Sequence, residues 1–168
     1  MIAVKTIDDL LAEIESSTVE EADRLAGYVY YKIKDRREID LAAECLFRTH
    51  GSASLFVSYQ AACLFKASGN MERYKSILQA LELRGHAPAI HALGCMKRDE
   101  GKLDEALALF KRSMDLGYLV GRAFFYWTLC KQARWPKRWY YWWRYKWAWN
   151  EAQYEKKVRG LPDLSSTW

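Results

Sequence analysis

The segment from Trp135 to Trp149 has the residue types best suited to binding chemistry. Nine of its fifteen residues are aromatic and four of the others are Lys or Arg, and all eight tryptophans of the chain lie at position 127 or later. Indole and phenol rings bury large apolar areas while keeping a polar atom, and they also attract cations. This composition predicts a contact surface rather than a reaction centre.

Residue types that perform catalysis or bind metals are scattered through the chain. His50, His86 and His91 occur singly, and no pair of them has a metal-ligand spacing that also brings in a Cys or carboxylate. The sequence contains no nucleophile elbow, no phosphate-binding glycine loop and no zinc-protease motif. Carboxylate pairs such as Asp104-Glu105 fall at predicted helix ends, where they stabilise the helix or face solvent. We therefore predict no enzymatic activity, no metal site and no cofactor.

The charge of the chain changes sign along its length. The formal net charge is +5, but residues 1–50 carry 7 basic and 11 acidic side chains, whereas residues 131–168 carry 9 basic and 3 acidic ones. A basic end of this kind attracts an acidic protein, an anionic phospholipid surface or nucleic acid, unless it is simply solvated. No nucleic-acid-binding motif accompanies it, so we expect a protein or a membrane surface as the partner rather than nucleic acid.

The six tryptophans between positions 135 and 149 share one side of a predicted helix that begins at Pro136. At about 100° per residue they fall within an arc of roughly 160°. That aromatic surface is wider than one packed helix face requires. Something must therefore cover part of it.

Three interpretations of this helix remain open. It packs on the preceding helix while residues 150–168 fold back over the remainder; or it contacts another protein or a second copy of the chain; or it lies on an anionic membrane surface. We expect Trp139 and Trp143 to be structural, and Trp142 and Trp149 to be available for contact. The predicted partner-binding residues of this helix are Arg138, Trp142, Arg144 and Trp149.

Residues 87–118 carry a second pattern, which is typical of two packed helices. The pair Leu93-Gly94 is followed by Gly101, Ala106 and Phe110 at fixed distances. Three pairs of identical residues 32 positions apart extend the pattern: Gly69 and Gly101, Gly85 and Gly117, and Cys63 and Cys95. Two such helices cannot bury their apolar faces alone, so the pattern predicts neighbouring copies.

Residues 87–120 resemble a tetratricopeptide repeat, and their ending is similar to the Sel-like variant of that repeat. The matching positions are Ile90, Leu93, Gly94, Ala106, Phe110 and Ser113. Lys97 departs from the usual Tyr, and Tyr118 replaces the closing Pro. The resemblance implies an α-solenoid of about four helix–turn–helix repeats in a right-handed superhelix, which binds a protein segment on its concave face. The groove residues implied by this register are Tyr59, Cys63, His91, Met96, Arg98, Arg122 and Tyr126.

Helix-forming residues dominate and no segment alternates as a strand does, so we predict an all-α fold. We expect one domain over residues 1–168, with N-terminal helices at 1–34, repeats at 35–134 and the aromatic basic helix and tail at 135–168. Thr6 and Asn70 are predicted N-caps, and Thr18 with Glu21 forms a predicted capping box. The nine predicted helices are 7–17, 19–34, 38–50, 53–68, 71–84, 87–100, 103–116, 120–133 and 136–157.

Location and thiol chemistry are predicted from features that the sequence lacks. No apolar run approaches the length of a transmembrane helix, and the N-terminus lacks the basic start and apolar stretch of a secretory signal. The four cysteines, at positions 45, 63, 95 and 130, form no C-x-x-C motif, so we expect buried, reduced thiols. We accordingly expect a cytoplasmic protein, with the membrane surface as the alternative site.

Overall fold

A computed structural model describes residues 6–158, in which the regular structure is entirely helical. The prediction of nine helices without a strand is confirmed for this range, with every predicted end within two residues of the observed one. The helices are α1 Ile7–Ser16, α2 Val19–Lys32, α3 Arg36–His50, α4 Leu55–Ser68, α5 Met71–Leu83, α6 Ala87–Asp99, α7 Leu103–Asp115, α8 Leu119–Gln132 and α9 Lys137–Val158. The solenoid arrangement stays a prediction. Residues 150–168 were predicted to fold back over the aromatic helix, but the first part of this segment continues α9 as far as Val158. The rest of the segment lies outside the described residues.

Polar side chains cap the N-termini of α1 and α2, as the sequence predicts. The Thr18 hydroxyl accepts from the Glu21 N–H at 3.3 Å, and the Glu21 carboxylate accepts from the Thr18 N–H at 2.8 Å. Thr6 and Asp9 form the same reciprocal arrangement at the start of α1. These bonds satisfy backbone donors that have no partner within the helix. The pair also lowers the pKa of Glu21, chiefly because its carboxylate accepts the Thr18 backbone N–H.

Four helices end in one recurring motif, at glycines spaced 16 residues apart. Gly69, Gly85, Gly101 and Gly117 have φ between 73° and 93°, a conformation that side chains with a Cβ strongly disfavour. At each end the next residue's N–H donates to the carbonyl five residues earlier, as Tyr118 does to Ser113 at 3.1 Å. This is the Schellman motif, which satisfies the last helical carbonyls. It explains why glycine recurs at these positions.

The described residues form two compact units, one ending at His86 and the other beginning at Ala87. In the first unit, α1 and α2 pack on α3 and α4, and α5 packs on α4. Its core is aliphatic with Phe65 near the centre, and Leu10, Ile14, Leu46 and Leu78 are almost fully buried. The buried His50 ring lies against the end of α1, with its Nε2 atom 3.0 Å from the Ile14 carbonyl oxygen.

In the second unit, α6, α7 and α8 approach each other closely at small residues. A Cβ added to Gly94 of α6 would lie 2.7 Å from the Phe110 ring of α7. Gly121 of α8 has the same relation to Ser113, whose hydroxyl oxygen would be 2.7 Å away. Ala106 is fully buried. Small residues at Gly94 and Ala106 are therefore required by close packing, which is the role that the sequence pattern assigned to them.

The expected burial of the thiols is found for two of the four cysteines. None of the four cysteines is in a disulfide; Cys45 and Cys130 are buried, whereas Cys63 and Cys95 are half-buried. Burial raises the pKa of the Cys45 and Cys63 thiols, because the thiolate loses its hydration. Both groups are consequently poor nucleophiles at neutral pH.

Gly94→Ala should destabilise the protein by about 1–3 kcal/mol, because the new methyl group would overlap a fully buried Phe110 ring that has no room to move. Gly27→Ala is the matched control, since Gly27 also lies within a helix but a Cβ there meets nothing within 4 Å. The control should stabilise its helix by about 0.5–1 kcal/mol. Urea unfolding of both variants measures the difference, and equal midpoints would contradict this packing of α6 on α7.

Candidate aromatic and basic contact surface on the C-terminal helix

Helix α9 lies antiparallel against α8 and approaches it through alanines. Ala148 and Ala152, one helical turn apart, are the two buried residues of α9. Ala152 packs with Val120 near the start of α8, and the Cys130 thiol near the end of α8 donates to the Arg138 carbonyl. The opposite order of these contacts along the two helices defines the antiparallel hairpin. Two small side chains let the backbones come close.

Two arginines and their partners flank these alanines. Arg122 of α8 is ion-paired with Glu151 of α9. Arg144 of α9 donates to the Tyr126 hydroxyl at 2.8 Å, an interaction that raises the pKa of Arg144. Both guanidinium groups also lie within 6 Å of the Trp147 ring. Arg122, Tyr126 and Arg144, predicted to bind a partner, are thus engaged between α8 and α9; their partner-binding role stays a prediction.

Because the alanine face packs, the tryptophan face of α9 points to solvent. Trp139, Trp142, Trp143 and Trp147 are between 45% and 63% exposed, and Tyr154 is 72% exposed. At about 100° per residue these five rings span an arc of about 140°, centred opposite Ala148 and Ala152. We call this arc of α9 the aromatic face. It lies on a helix of 22 residues, and the same arc also holds the exposed cations Lys146 and Lys157.

The expectation about individual tryptophans is wrong in two respects. Trp139 and Trp143, expected to be structural, are 63% and 58% exposed. Trp149, expected to be available, is half-buried and packs against the cluster of Val120 and Ala152. Bulky indoles would hold two helix axes apart, so the close approach is made by the alanines instead. Trp142, 45% exposed, agrees with its predicted availability.

The aromatic face lies in a mainly basic environment. Asp115 and Glu151 are consecutive acidic residues in the sequence, so residues 116–150 contain none, and Glu151 is ion-paired with Arg122. The exposed cations of the hairpin are Lys146 and Lys157 within the face, Arg138 beside it, and Lys131, Arg134 and Lys137 near the turn that joins α8 to α9. The local potential is consequently positive, and it attracts anionic surfaces.

An open groove of about 510 Å³ runs between α8 and α9 beside this face. Its aromatic walls are Trp127, Trp135, Trp139, Trp142 and Tyr145, and its cations are Lys131, Arg138 and Lys146. Its volume is in the range of small-molecule sites. Trp139 and Trp142 belong both to the groove and to the aromatic face, so the two surfaces are continuous.

Each of the two lysines in the groove makes a cation–π contact with an aromatic ring that lies one helical turn earlier in the same helix. Lys131 Nζ lies 5.2 Å from the centre of the Trp127 ring, and Lys146 Nζ lies 5.7 Å from that of Trp142. Arg98 of α6 lies 5.4 Å from the centre of the same Trp127 ring and also pairs with Asp99. The sequence interpretation missed Trp127, Lys131 and Trp135 as contact residues. The signal was the repeated aromatic–x–x–x–Lys spacing, which places ring and cation side by side on a helix.

The remaining predicted site residues do not join this surface. Tyr59 and Cys63 lie half-buried in the first unit, where the Tyr59 ring packs 5.2 Å from that of His86. Met96 is half-buried in α6. His91, which the sequence interpretation placed in a surface groove, is only 2% exposed. From its position on α6, the His91 side chain points into the interior of the second unit.

Aromatic rings enclose His91. Those of Phe110, Tyr118 and Phe124 lie 4.7–5.5 Å from its imidazole. Burial lowers the pKa of His91 to about 3, with a smaller contribution from the charge of Arg98. The ring is therefore neutral at physiological pH and serves as a packing residue.

Among residues 6–158, no group of three or more His, Cys, Asp or Glu side chains is arranged to hold a metal ion. None of the helices in that range combines the length and apolarity needed to cross a bilayer. No protein-family model, curated protein or solved structure matches the chain. The resemblance of residues 87–120 to a tetratricopeptide repeat thus stays a prediction.

Trp149→Ala should destabilise the protein by about 2 kcal/mol or more, because Trp149 packs on Val120 and Ala152. Trp139→Ala removes the same side chain from an exposed position and should change stability by about 0.5 kcal/mol or less. Thermal or urea unfolding compares the two. A larger loss for Trp139→Ala would mean that the opposite face of α9 packs on α8.

Acidification should destabilise the protein through His91. The imidazole of His91 has its ordinary pKa of 6.5 in the unfolded chain, whereas its pKa in the folded protein is about 3. Below pH 6.5, unfolding is therefore accompanied by the uptake of a proton. The free energy of unfolding should fall by about 1.4 kcal/mol per pH unit from roughly pH 6.5 to pH 5. His86, whose pKa burial also lowers, contributes with the same sign. His91→Phe should flatten this dependence in urea unfolding; an unchanged slope would show that other groups cause it.

Proposed function

We propose that this chain is a non-enzymatic helical scaffold that docks on an anionic membrane surface through the aromatic face of α9. The observation that carries the proposal is the exposure of four tryptophans and Tyr154 on one side of α9, together with the absence of acidic residues from positions 116–150. An aromatic patch of this kind is larger than soluble monomers ordinarily leave in water. A contact that covers it is therefore expected.

Charge argues against a second copy of the chain as the partner that covers the aromatic face. Two aromatic faces meeting each other would bring together the exposed cations Lys146 and Lys157 from both copies, with no acidic residue in the exposed arc to pair with them. Like charges across an interface cost several kcal/mol. An anionic partner removes this cost.

The composition of the surface favours a membrane over a protein. Protein interfaces are depleted in Lys relative to Arg, whereas four of the six exposed cations here are lysines. Trp and Tyr concentrate at the headgroup level of bilayers, and each Lys or Arg near an anionic bilayer contributes about 1 kcal/mol. A convex helix face, about 33 Å long at 1.5 Å per residue, also needs no complementary shape in a fluid bilayer. Helices of this composition lie in the interfacial plane.

A protein partner is the second candidate, which would make the chain an adaptor. It is favoured by the tryptophans themselves, because Trp is among the residues most enriched in binding hot spots. The α-solenoid implied by the sequence resemblance would add a concave surface for a partner segment. The partner of such an adaptor would carry an acidic surface, for the same electrostatic reason.

Co-sedimentation with phosphatidylserine/phosphatidylcholine vesicles tests the membrane proposal. The wild-type chain should bind these vesicles, bind neutral phosphatidylcholine vesicles weakly, and lose affinity as salt is raised. Trp143→Ser/Tyr154→Ser removes two exposed rings of the aromatic face and should weaken binding by about tenfold, or about 1.4 kcal/mol. Tyr31→Ser/Leu83→Ser is the matched control, because both residues are exposed but lie in the first unit.

Equal binding by the two double variants would contradict docking through this face, provided that circular dichroism shows both to be folded. Absence of vesicle binding by the wild-type chain would remove the membrane proposal. An acidic protein that the wild type and control capture without lipid, and that Trp143→Ser/Tyr154→Ser does not, would favour the adaptor.

A further inference from the structure

The α8–α9 groove has a chemical character that differs from that of the aromatic face. The face is a convex row of rings, whereas the groove is concave and brings three cations to one recess of about 510 Å³. Lys131 comes from α8, and Arg138 and Lys146 come from α9, so both helices contribute. No acidic residue lines the recess. A concave, cationic site calls for a compact anion.

Phosphate monoesters match this set of cations best. A monoester carries a charge of about −1.5 to −2 near neutral pH and presents three acceptor oxygens. The guanidinium of Arg138 can donate to two of these oxygens in parallel, and each lysine supplies a point charge. A carboxylate offers fewer acceptors and a single charge. The cation count therefore indicates phosphate rather than carboxylate.

The aromatic walls indicate what is attached to the phosphate. Trp135 and Tyr145 line the groove together with Trp127, so the anion is next to apolar surface on several sides. Through Trp139 and Trp142, this surface runs without a break onto the aromatic face. A ligand whose phosphate sits in the groove can thus extend its apolar part along the face into the lipid.

We infer that the α8–α9 groove binds the phosphate monoester headgroup of a membrane lipid, with Lys131, Arg138 and Lys146 holding the phosphate between the tryptophan walls. This inference rests on the proposed membrane docking and adds a headgroup preference to it. The same chemistry exists in soluble phosphate esters such as glycerol phosphate. The lipid is the favoured source because the groove is continuous with the membrane-facing surface.

The test compares headgroups at equal vesicle charge. Vesicles containing phosphatidic acid or phosphatidylserine are adjusted in composition to the same measured surface potential, and binding of the full chain is followed by co-sedimentation. We expect the wild type to prefer phosphatidic acid by about tenfold. Arg138→Gln/Lys146→Gln, which removes two groove cations, should abolish this preference.

Lys137→Gln/Lys157→Gln is the matched control. It removes two exposed cations from the same helix, but neither residue lines the groove. Both double variants should lose overall affinity for anionic vesicles, by about 30-fold for two charges. Only the groove variant should lose the preference, because a general loss of charge weakens binding to both lipids alike.

A second arm titrates the chain with glycerol phosphate and follows tryptophan fluorescence, which reports on the groove without a membrane. Vesicle binding without a headgroup preference would overturn the inference and leave the proposed docking intact. Absence of vesicle binding, combined with glycerol phosphate binding that Arg138→Gln/Lys146→Gln abolishes, would refute the docking and assign the groove to a soluble phosphate ester. Failure of both arms would refute both. A preference for a single-stranded oligonucleotide over glycerol phosphate would also overturn the inference, because it would assign the rings to base stacking.

Discussion

The close approach of α9 to α8 at Ala148 and Ala152 determines the surface of the second unit. Because these two methyl groups occupy the contact, the helix backbones lie near each other and α9 is fixed in rotation. Arg122 with Glu151, and Arg144 with Tyr126, then hold the flanks. The tryptophans on the opposite side of the helix are therefore exposed to solvent.

This rotation joins the two properties on which the proposed membrane docking depends. It places the indole rings and the lysines on one accessible side, and it opens a cationic groove along the edge of the hairpin. The stretch without acidic residues, 116–150, keeps the potential of that side positive. In the proposed docking, apolar area supplies adhesion and charge supplies the preference for an anionic lipid surface.

His91 shows how burial determines the role of a residue. Its position in α6 suggested a surface groove, yet three aromatic rings enclose it, and the pKa falls to about 3. A neutral, fully packed imidazole has no part in recognition. Lys131 and Lys146 are held at the groove by aromatic rings one helical turn away, and their proposed role in binding follows from that position.

Local chemistry determined the helices, whereas packing determined the surface. Caps such as Thr18 with Glu21, and glycines such as Gly117, act within a few residues, so the sequence alone predicted nine helices and their ends. It also predicted an aromatic, basic helix at 136–157. Which side of that helix packs depended on how closely α8 could approach, a property of two helices together. The sequence pattern favoured burying the large rings of Trp139 and Trp143; the tertiary structure buried the alanines, because only small side chains fit between adjacent backbones.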